Sequence, residues 1–138
     1  MFLEPTDLPT VIYDYQLQEI TEGDTAITLA NCSAAVAEVK SYLAKYDTAT
    51  IFAAVGAARD PLLLEMTKNV AMWSIVRLSN IDIIYAQAKE RYDRAIKWLE
   101  GVRDGTIVPD LPHAIAPDGG AITPFSINSN RKFKHGNY

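Results

Sequence analysis

The residues that could bind a metal or attack a substrate are few and lie far apart in the sequence. Two histidines, His113 and His135, lie towards the C-terminal end, and the single cysteine, Cys32, lies within an apolar helical pattern. A protein metal site usually needs three or four such ligands at short, characteristic spacings. Because these residues do not provide such a set, we expect no metal site and no bound cofactor.

Catalytic motifs are also missing from the sequence. A hydrolase serine would lie in a Gly-x-Ser-x-Gly turn, and a phosphate-binding loop would end in Gly-Lys-Ser or Gly-Lys-Thr. The one candidate loop, around Gly56, reads Ala-Val-Gly-Ala. Asp93 and Glu100 lie on the polar side of a predicted helix, where pairing with neighbouring bases is the expected role. We therefore predict no catalytic residues and a protein that is not an enzyme.

Length and overall charge limit the class of protein. The 138 residues fit a single domain, and 49% of them are apolar. The formal net charge of −4 argues against a general nucleic-acid binder. No apolar run is long enough to cross a membrane, and the acidic N-terminal region is unlike a signal peptide. A lone cysteine excludes an intrachain disulfide and fits a reducing compartment.

The charges are unevenly distributed along the chain. Residues 1–39 contain seven acids and no lysine or arginine, whereas residues 119–138 contain three bases and no acid. The acids are Glu4, Asp7, Asp14, Glu19, Glu22, Asp24 and Glu38. The bases are Arg131, Lys132 and Lys134. This segregation favours head-to-tail contacts between neighbouring copies, which form a ring when the rotation between copies closes.

Three segments have the periodicity of amphipathic helices. The most regular helix is predicted over residues 82–104, and a second over residues 26–46. Their apolar stripes both step by four and three residues. The stripes are Ala88, Tyr92, Ala95, Leu99 and Val102, and Cys32, Val36, Val39, Leu43 and Tyr46. Asp60 followed by Pro61 predicts the start of a third helix over residues 61–78, because an acidic cap before proline is a helix-start signal.

Some residues in these helices have two interpretations. Trp73 and Trp98 are expected to anchor the core, or alternatively an interface with another protein. Arg77 is expected to be a surface arginine, or alternatively half of an ion pair between subunits.

The smaller elements are a single helical turn between Pro5 and Pro9, a short helix over residues 13–20, and a loop over residues 47–60 with room for one turn. The fold class is therefore all-α, a small bundle of three long helices plus one or two short N-terminal helices.

Residues 106–138 differ from the helical region before them. They contain four of the seven prolines and the pair Gly119-Gly120, so we expect an extended C-terminal arm after a helical domain of residues 1–105. We expect removal of everything after Val108 to leave the melting temperature nearly unchanged. The arm is either a solvated tail or a docking segment. Its candidate interface residues are Ile122, Phe125, Ile127, Arg131, Lys132, Phe133 and Lys134.

Three segments resemble the phage head–tail connector proteins, also called head completion or adaptor proteins, of the Mu-like type. They read LEPTDLPTVIYDYQLQEIT, ANCSAAVAEVKSYLAKYD and ERYDRAIKWLEGVRDGTI, and lie between residue 3 and about residue 108. The last is the most specific, because it combines Arg91-Tyr92 with Trp98-Leu99 and Gly105. The connection after the second segment and the long arm depart from the family pattern.

The resemblance implies a structural virion protein without enzymatic activity. It implies a ring of about a dozen copies in the neck, between the portal protein and the tail or stopper proteins. It further implies that termini or loops reach neighbouring subunits. Assembly would take place in the host cytoplasm, and passive contact with DNA in a channel is a separate expectation, in which acids within residues 4–24 would line the channel and repel DNA phosphates. The residues alone also permit an alternative, a bacterial helical adaptor or regulatory domain that acts as a monomer or dimer.

Overall fold

A computed structural model describes residues 1–79 and 82–115. In these residues the chain forms five α-helices, namely α1 (Asp14–Thr21), α2 (Thr25–Ser41), α3 (Thr48–Ala53), α4 (Pro61–Val76) and α5 (Asp82–Asp104). Short 3-10 helices, Pro5–Thr10 and Gly56–Ala58, precede α1 and α4. The described ranges contain no strand. The predicted all-α class with three long helices is therefore confirmed.

Helix α4 is the central element and packs against both α2 and α5. It begins as predicted, with Pro61 in the first turn and the Asp60 carboxylate accepting a hydrogen bond from the Leu63 N–H at 2.8 Å. Its side chains are apolar around most of the helix, which is typical of a helix enclosed by others. The fully buried apolar ones are Leu63, Val70, Ala71, Ile75 and Val76.

Helix α5 buries its predicted stripe against the rest of the bundle. Four of the five stripe residues, Ala88, Ala95, Leu99 and Val102, are fully buried, and Tyr92 is half-buried. Trp73 of α4 contacts the Tyr92 ring with centroids 5.9 Å apart, so it packs within the chain. The helix ends before Gly105, whose φ of 85° lies in the left-handed region.

Helix α2 is shorter than predicted, since it ends at Ser41 and not near residue 46. Leu43 and Tyr46 are nevertheless buried, as the stripe predicted. The helix ends in a tighter turn, in which the Tyr42 and Leu43 N–H groups donate to carbonyls three residues back. The Asp47 carboxylate accepts from the Thr50 N–H at 3.1 Å and caps α3, a six-residue helix in the predicted loop. The 3-10 helix Pro5–Thr10 likewise exceeds the single turn expected, because it continues through Pro9.

The first part of the C-terminal arm, residues 106–115, folds back onto the helices. We call this segment the arm root. The Ile107 N–H donates to the Gly101 carbonyl at 3.0 Å. A Cβ on Gly101 would come within 2.7 Å of the Ile107 side chain, so glycine allows this close approach. Leu111 is only 7% exposed and belongs to the main core.

Backbone hydrogen bonds fix the far end of the arm root beside the connection between α2 and α3. The Asp47 N–H donates to the Pro112 carbonyl at 2.8 Å, and the Ala114 N–H donates to the Lys45 carbonyl at 3.1 Å. The segment is non-helical, as expected, but the expectation that it lies apart from the core is wrong. Proline ends a helix, yet its carbonyl still accepts a hydrogen bond, and one buried leucine suffices to hold such a segment.

We predict that Leu99→Ala lowers the free energy of unfolding by about 2–5 kcal/mol, because it leaves a cavity in the core. Leu78→Ala is the matched control, since its side chain is 60% exposed, and should change that free energy by less than about 0.5 kcal/mol. Trp98→Ala should cost less than Leu99→Ala, because Trp98 is half-buried. Urea denaturation measures all three. If Leu99→Ala unfolded at the same urea concentration as the parent protein, the packing described would be contradicted.

Two truncations test the contribution of the arm root to stability. A chain cut after Val108 loses Leu111 and both backbone hydrogen bonds, so we now expect its melting temperature to fall by roughly 5–10 °C. A chain cut after Ile115 keeps them and should melt close to the parent. Thermal unfolding followed by circular dichroism compares the two. Equal melting temperatures for the two truncated chains would show that the arm root adds no stability.

Candidate interaction surfaces

The predicted interface residues of the arm lie outside the described residues, and their role stays a prediction. They are Ile122, Phe125, Ile127, Arg131, Lys132, Phe133 and Lys134. The structure does place the point from which this part of the arm continues. Ile115 is exposed, and the preceding Ala114 is hydrogen-bonded to Lys45. The last described residues, Ala114 and Ile115, therefore lie beside the α2–α3 connection, with Ile115 on the surface.

Asp7, one of the seven N-terminal acids, is part of the fold and not of an acidic surface. Its carboxylate pairs with the Arg59 guanidinium at 2.7 Å, and the two side chains are only 16% and 14% exposed. Arg59 also donates to the Phe2 carbonyl at 2.9 Å, so the pair ties the N-terminal segment to the connection before α4. The hydrogen bond from Arg59 lowers the pKa of Asp7. Arg59 is the single base between residues 46 and 67, a signal that sequence analysis missed.

Two further acids also have partners within the chain. The Tyr92 hydroxyl of α5 donates to Glu38 Oε1 of α2 at 2.7 Å. Burial, reinforced by this bond, raises the pKa of Tyr92 to about 12. Asp24 accepts a hydrogen bond from the Ala26 N–H at 2.9 Å and caps α2. The acidic surface is consequently smaller than the sequence indicates.

Three of the four remaining acids lie in the segment that begins with an exposed aromatic pair at the start of α1. Tyr13 and Tyr15 are 68% and 67% exposed, and their rings stack with centroids 5.8 Å apart. Asp14, Glu19 and Glu22 are exposed in the same segment, whereas Glu4 lies 3.8 Å from the N-terminal amine. We call residues 13–24 the acidic corner. Exposed tyrosines next to charged groups are typical of protein–protein contact sites.

A second surface, which we call the basic groove, runs along one side of α5. Two concavities share Arg94 as a wall. One, of about 350 Å³, is lined by Arg94, Lys97, Trp98, Gly101, Thr106 and Ile107. The other, of about 330 Å³, is lined by Glu65, Met66, Asn69, Arg91 and Arg94. The groove thus combines basic side chains with an apolar floor.

The ion pairs on α5 do not neutralise all of the basic side chains of the groove, so some can bind an acidic partner. The i, i+4 spacing favours pairs between Asp93 and Lys97 and between Glu90 and Arg94. The first does not form, because Asp93 binds Lys89 at 2.6 Å, one turn earlier, and Lys97 makes no ion pair within residues 1–79 and 82–115. Arg94 does pair with Glu90, but its side chain remains 75% exposed.

Asn69 on α4 forms the floor of the second concavity. The residue is 9% exposed, and its Oδ1 has no hydrogen-bond partner in the described part of the chain. A buried acceptor without a donor is unusual, since most buried polar atoms are paired. Arg91 lies beside it and donates to the Val11 carbonyl at 3.2 Å. The floor can therefore accept a hydrogen bond from an incoming group.

Cys32 is fully buried, as predicted for a small core residue, and burial raises the pKa of its thiol to about 11. Within the two described ranges, no three histidine, cysteine or carboxylate side chains are grouped so that they could hold a metal ion. None of the helices in those ranges has the length and apolarity needed to cross a membrane.

Arg77 is exposed at the end of α4, so its two interpretations stay open.

Comparison with protein families gives one match. The family model described as Bacteriophage Mu, Gp36 matches residues 2–122. The chain belongs to this family. No significant match was found among curated proteins or among solved structures. The Mu Gp36 match extends beyond Val108, where the resemblance seen in the sequence ended, and so includes the arm root as well as the bundle.

We predict that Asp7→Asn destabilises this Mu Gp36 family member by about 3 kcal/mol at pH 7, because it leaves Arg59 without its partner. The lowered pKa means that the folded state binds the Asp7 proton more weakly than the unfolded state does. The stabilisation is therefore present at neutral pH and lost as the pH falls below about 4.

Urea denaturation between pH 7 and pH 3 measures this effect. The difference between parent and Asp7→Asn should shrink as the pH falls. Glu19→Gln is the control, because Glu19 is exposed and belongs to no ion pair among the described residues. A difference that is the same at both ends of the pH range would contradict the assignment to the Asp7–Arg59 pair.

Proposed function

We propose that this protein is a structural, ring-forming connector subunit in the neck of a tailed phage, between the portal and the tail, and that it has no enzymatic activity. The family match over residues 2–122 is the observation that carries the proposal. It makes the chain a Mu-like phage protein, and the resemblance in the α5 region adds the connector role. The subunit would join the virion after synthesis in the host cytoplasm.

The surfaces of the bundle support a repeating assembly. A ring subunit needs two different surfaces that fit each other, because each copy binds one neighbour on each side. The acidic corner on α1 and the basic groove on α5 would serve as these two surfaces, because their charges are opposite. A ring of about a dozen copies, suggested by the resemblance, would close through this type of contact.

The other proposed partners bind at the ends of the ring and in its channel. The portal protein would lie on one side, and the tail or stopper proteins on the other. The arm leaves the bundle beside the α2–α3 connection, from where its apolar and basic residues can reach a neighbour or the portal. Carboxylates that remain exposed in the ring would repel DNA phosphates and favour passive sliding.

Inactivation of the gene in its phage or prophage tests the proposal. We expect filled heads and separate tails, with few joined virions, and an infectious titre restored by the intact gene on a plasmid. Electron microscopy of lysates measures this. Normal joined virions would contradict the connector role. Altered gene expression with normal particles would favour the alternative, a helical regulatory domain of the bacterium.

The same complementation assay tests the proposed docking role of the arm. A gene for the chain cut after Ile115 should give a folded protein that does not restore joined virions. The full chain with Arg131, Lys132 and Lys134 changed to Glu should also restore fewer joined virions than the parent chain. Leu78→Ala, with an exposed position far from the arm in the sequence, is the control that should complement fully. Full restoration by the cut chain would show that the arm is dispensable.

A further inference from the structure

Residues 13–15, Tyr-Asp-Tyr, are all exposed at the start of the acidic corner. The two stacked rings carry phenolic hydroxyls, which donate hydrogen bonds, and the residue between them in the sequence carries a carboxylate, which accepts them. Because the rings already contact each other, little conformational freedom is left to lose on binding. The segment is suited to enter a site that has an acceptor, cations and an apolar wall.

The basic groove has these three features. Asn69 Oδ1 is a buried acceptor without a donor in the described residues, and Arg91 and Arg94 line the same concavity. Trp98 and Ile107 form an apolar wall in the adjoining concavity of about 350 Å³. Tyrosine, tryptophan and arginine are the residues that most often dominate binding energy at interfaces.

We propose that residues 13–15 of one copy dock into the basic groove of the next copy. A tyrosine hydroxyl donates to Asn69 Oδ1, the Asp14 carboxylate binds Arg94, and the other tyrosine ring packs against Trp98. This proposal rests on the proposed function and adds the identity of the surfaces through which ring subunits meet. The contact joins different surfaces, so each bound copy keeps one corner and one groove for further neighbours.

Charge argues for the acidic corner as occupant in preference to the arm of a neighbour. Residues 119–138 contain three bases and no acid, so they would meet Arg91, Arg94 and Lys97 with like charge. Residues 1–39 contain no base, and three exposed acids lie in the corner with the tyrosine pair. Like-charge contacts oppose binding, and complementary ones favour it.

Cysteine cross-linking tests this contact directly. The full chain carrying Gln18→Cys, an exposed position one turn after Asp14, and Lys97→Cys is produced together with the portal protein of the same phage, then oxidised and separated on a non-reducing gel. Cys32 should stay unreactive, because it is fully buried and the pKa of its thiol is raised to about 11. We expect a ladder of dimers, trimers and larger species from the double variant, and monomers from each single variant.

A charge exchange in the cross-linking variant shows whether Asp14 binds Arg94. Arg94→Asp should lower the yield of the ladder roughly tenfold, and adding Asp14→Arg should restore it to within about twofold. Arg103→Asp is the matched control, since Arg103 is an exposed arginine on another side of α5. It should leave the yield unchanged.

The outcomes separate this contact from the proposed function. Rings on the portal without a ladder, or a ladder whose yield Arg94→Asp leaves unchanged, would overturn the contact and leave the connector role standing. Dimers alone from a single variant would indicate a two-fold contact and also overturn it. Loss of the ladder from a chain that is cut after Ile115 and still binds the portal would point to the arm as occupant. Failure of the parent chain to associate with the portal would overturn both proposals.

Discussion

The enclosure of α4 is the constraint on which the rest of the structure depends. A helix that is apolar around most of its surface has to be covered on several sides, and α2 and α5 provide most of this cover. Its buried Thr67 is compatible with this position because the hydroxyl donates to the Leu63 carbonyl at 2.7 Å. Asn69 departs from this pattern, and it lies where α4 reaches the basic groove. The basic groove, which is the proposed interaction surface, therefore begins at the edge of the central helix.

Internal ion pairs and hydrogen bonds determine how many of the acids in residues 1–39 remain available on the surface. The Asp7–Arg59 pair and the Tyr92–Glu38 hydrogen bond use two of the N-terminal acids to hold separate segments together. Burial makes such contacts costly to break from one side only. Three of the acids left over, Asp14, Glu19 and Glu22, are exposed in the segment that begins with the tyrosine pair. Much of the exposed acidic charge of residues 1–39 therefore lies in the acidic corner.

Periodicity predicted the helices well, because a buried stripe repeats along the element that carries it. The α5 stripe and the Asp60 cap were both correct for this reason. Contacts between distant parts of the chain leave no such local pattern. No local pattern distinguishes Leu111 from the other apolar residues of its proline-rich segment, or Asp7 from an exposed acid. The basic groove could not be predicted either, since it combines residues of α4, α5 and the arm root.

The proposed function requires many copies of this chain in the virion neck. Cryo-electron microscopy of the intact particle, focused on the region between the head and the tail, can test for them. We predict a closed ring of repeated helical bundles on the portal, into which the five helices fit with α1 of each copy facing α5 of the next. A neck whose density is filled entirely by other proteins would contradict it.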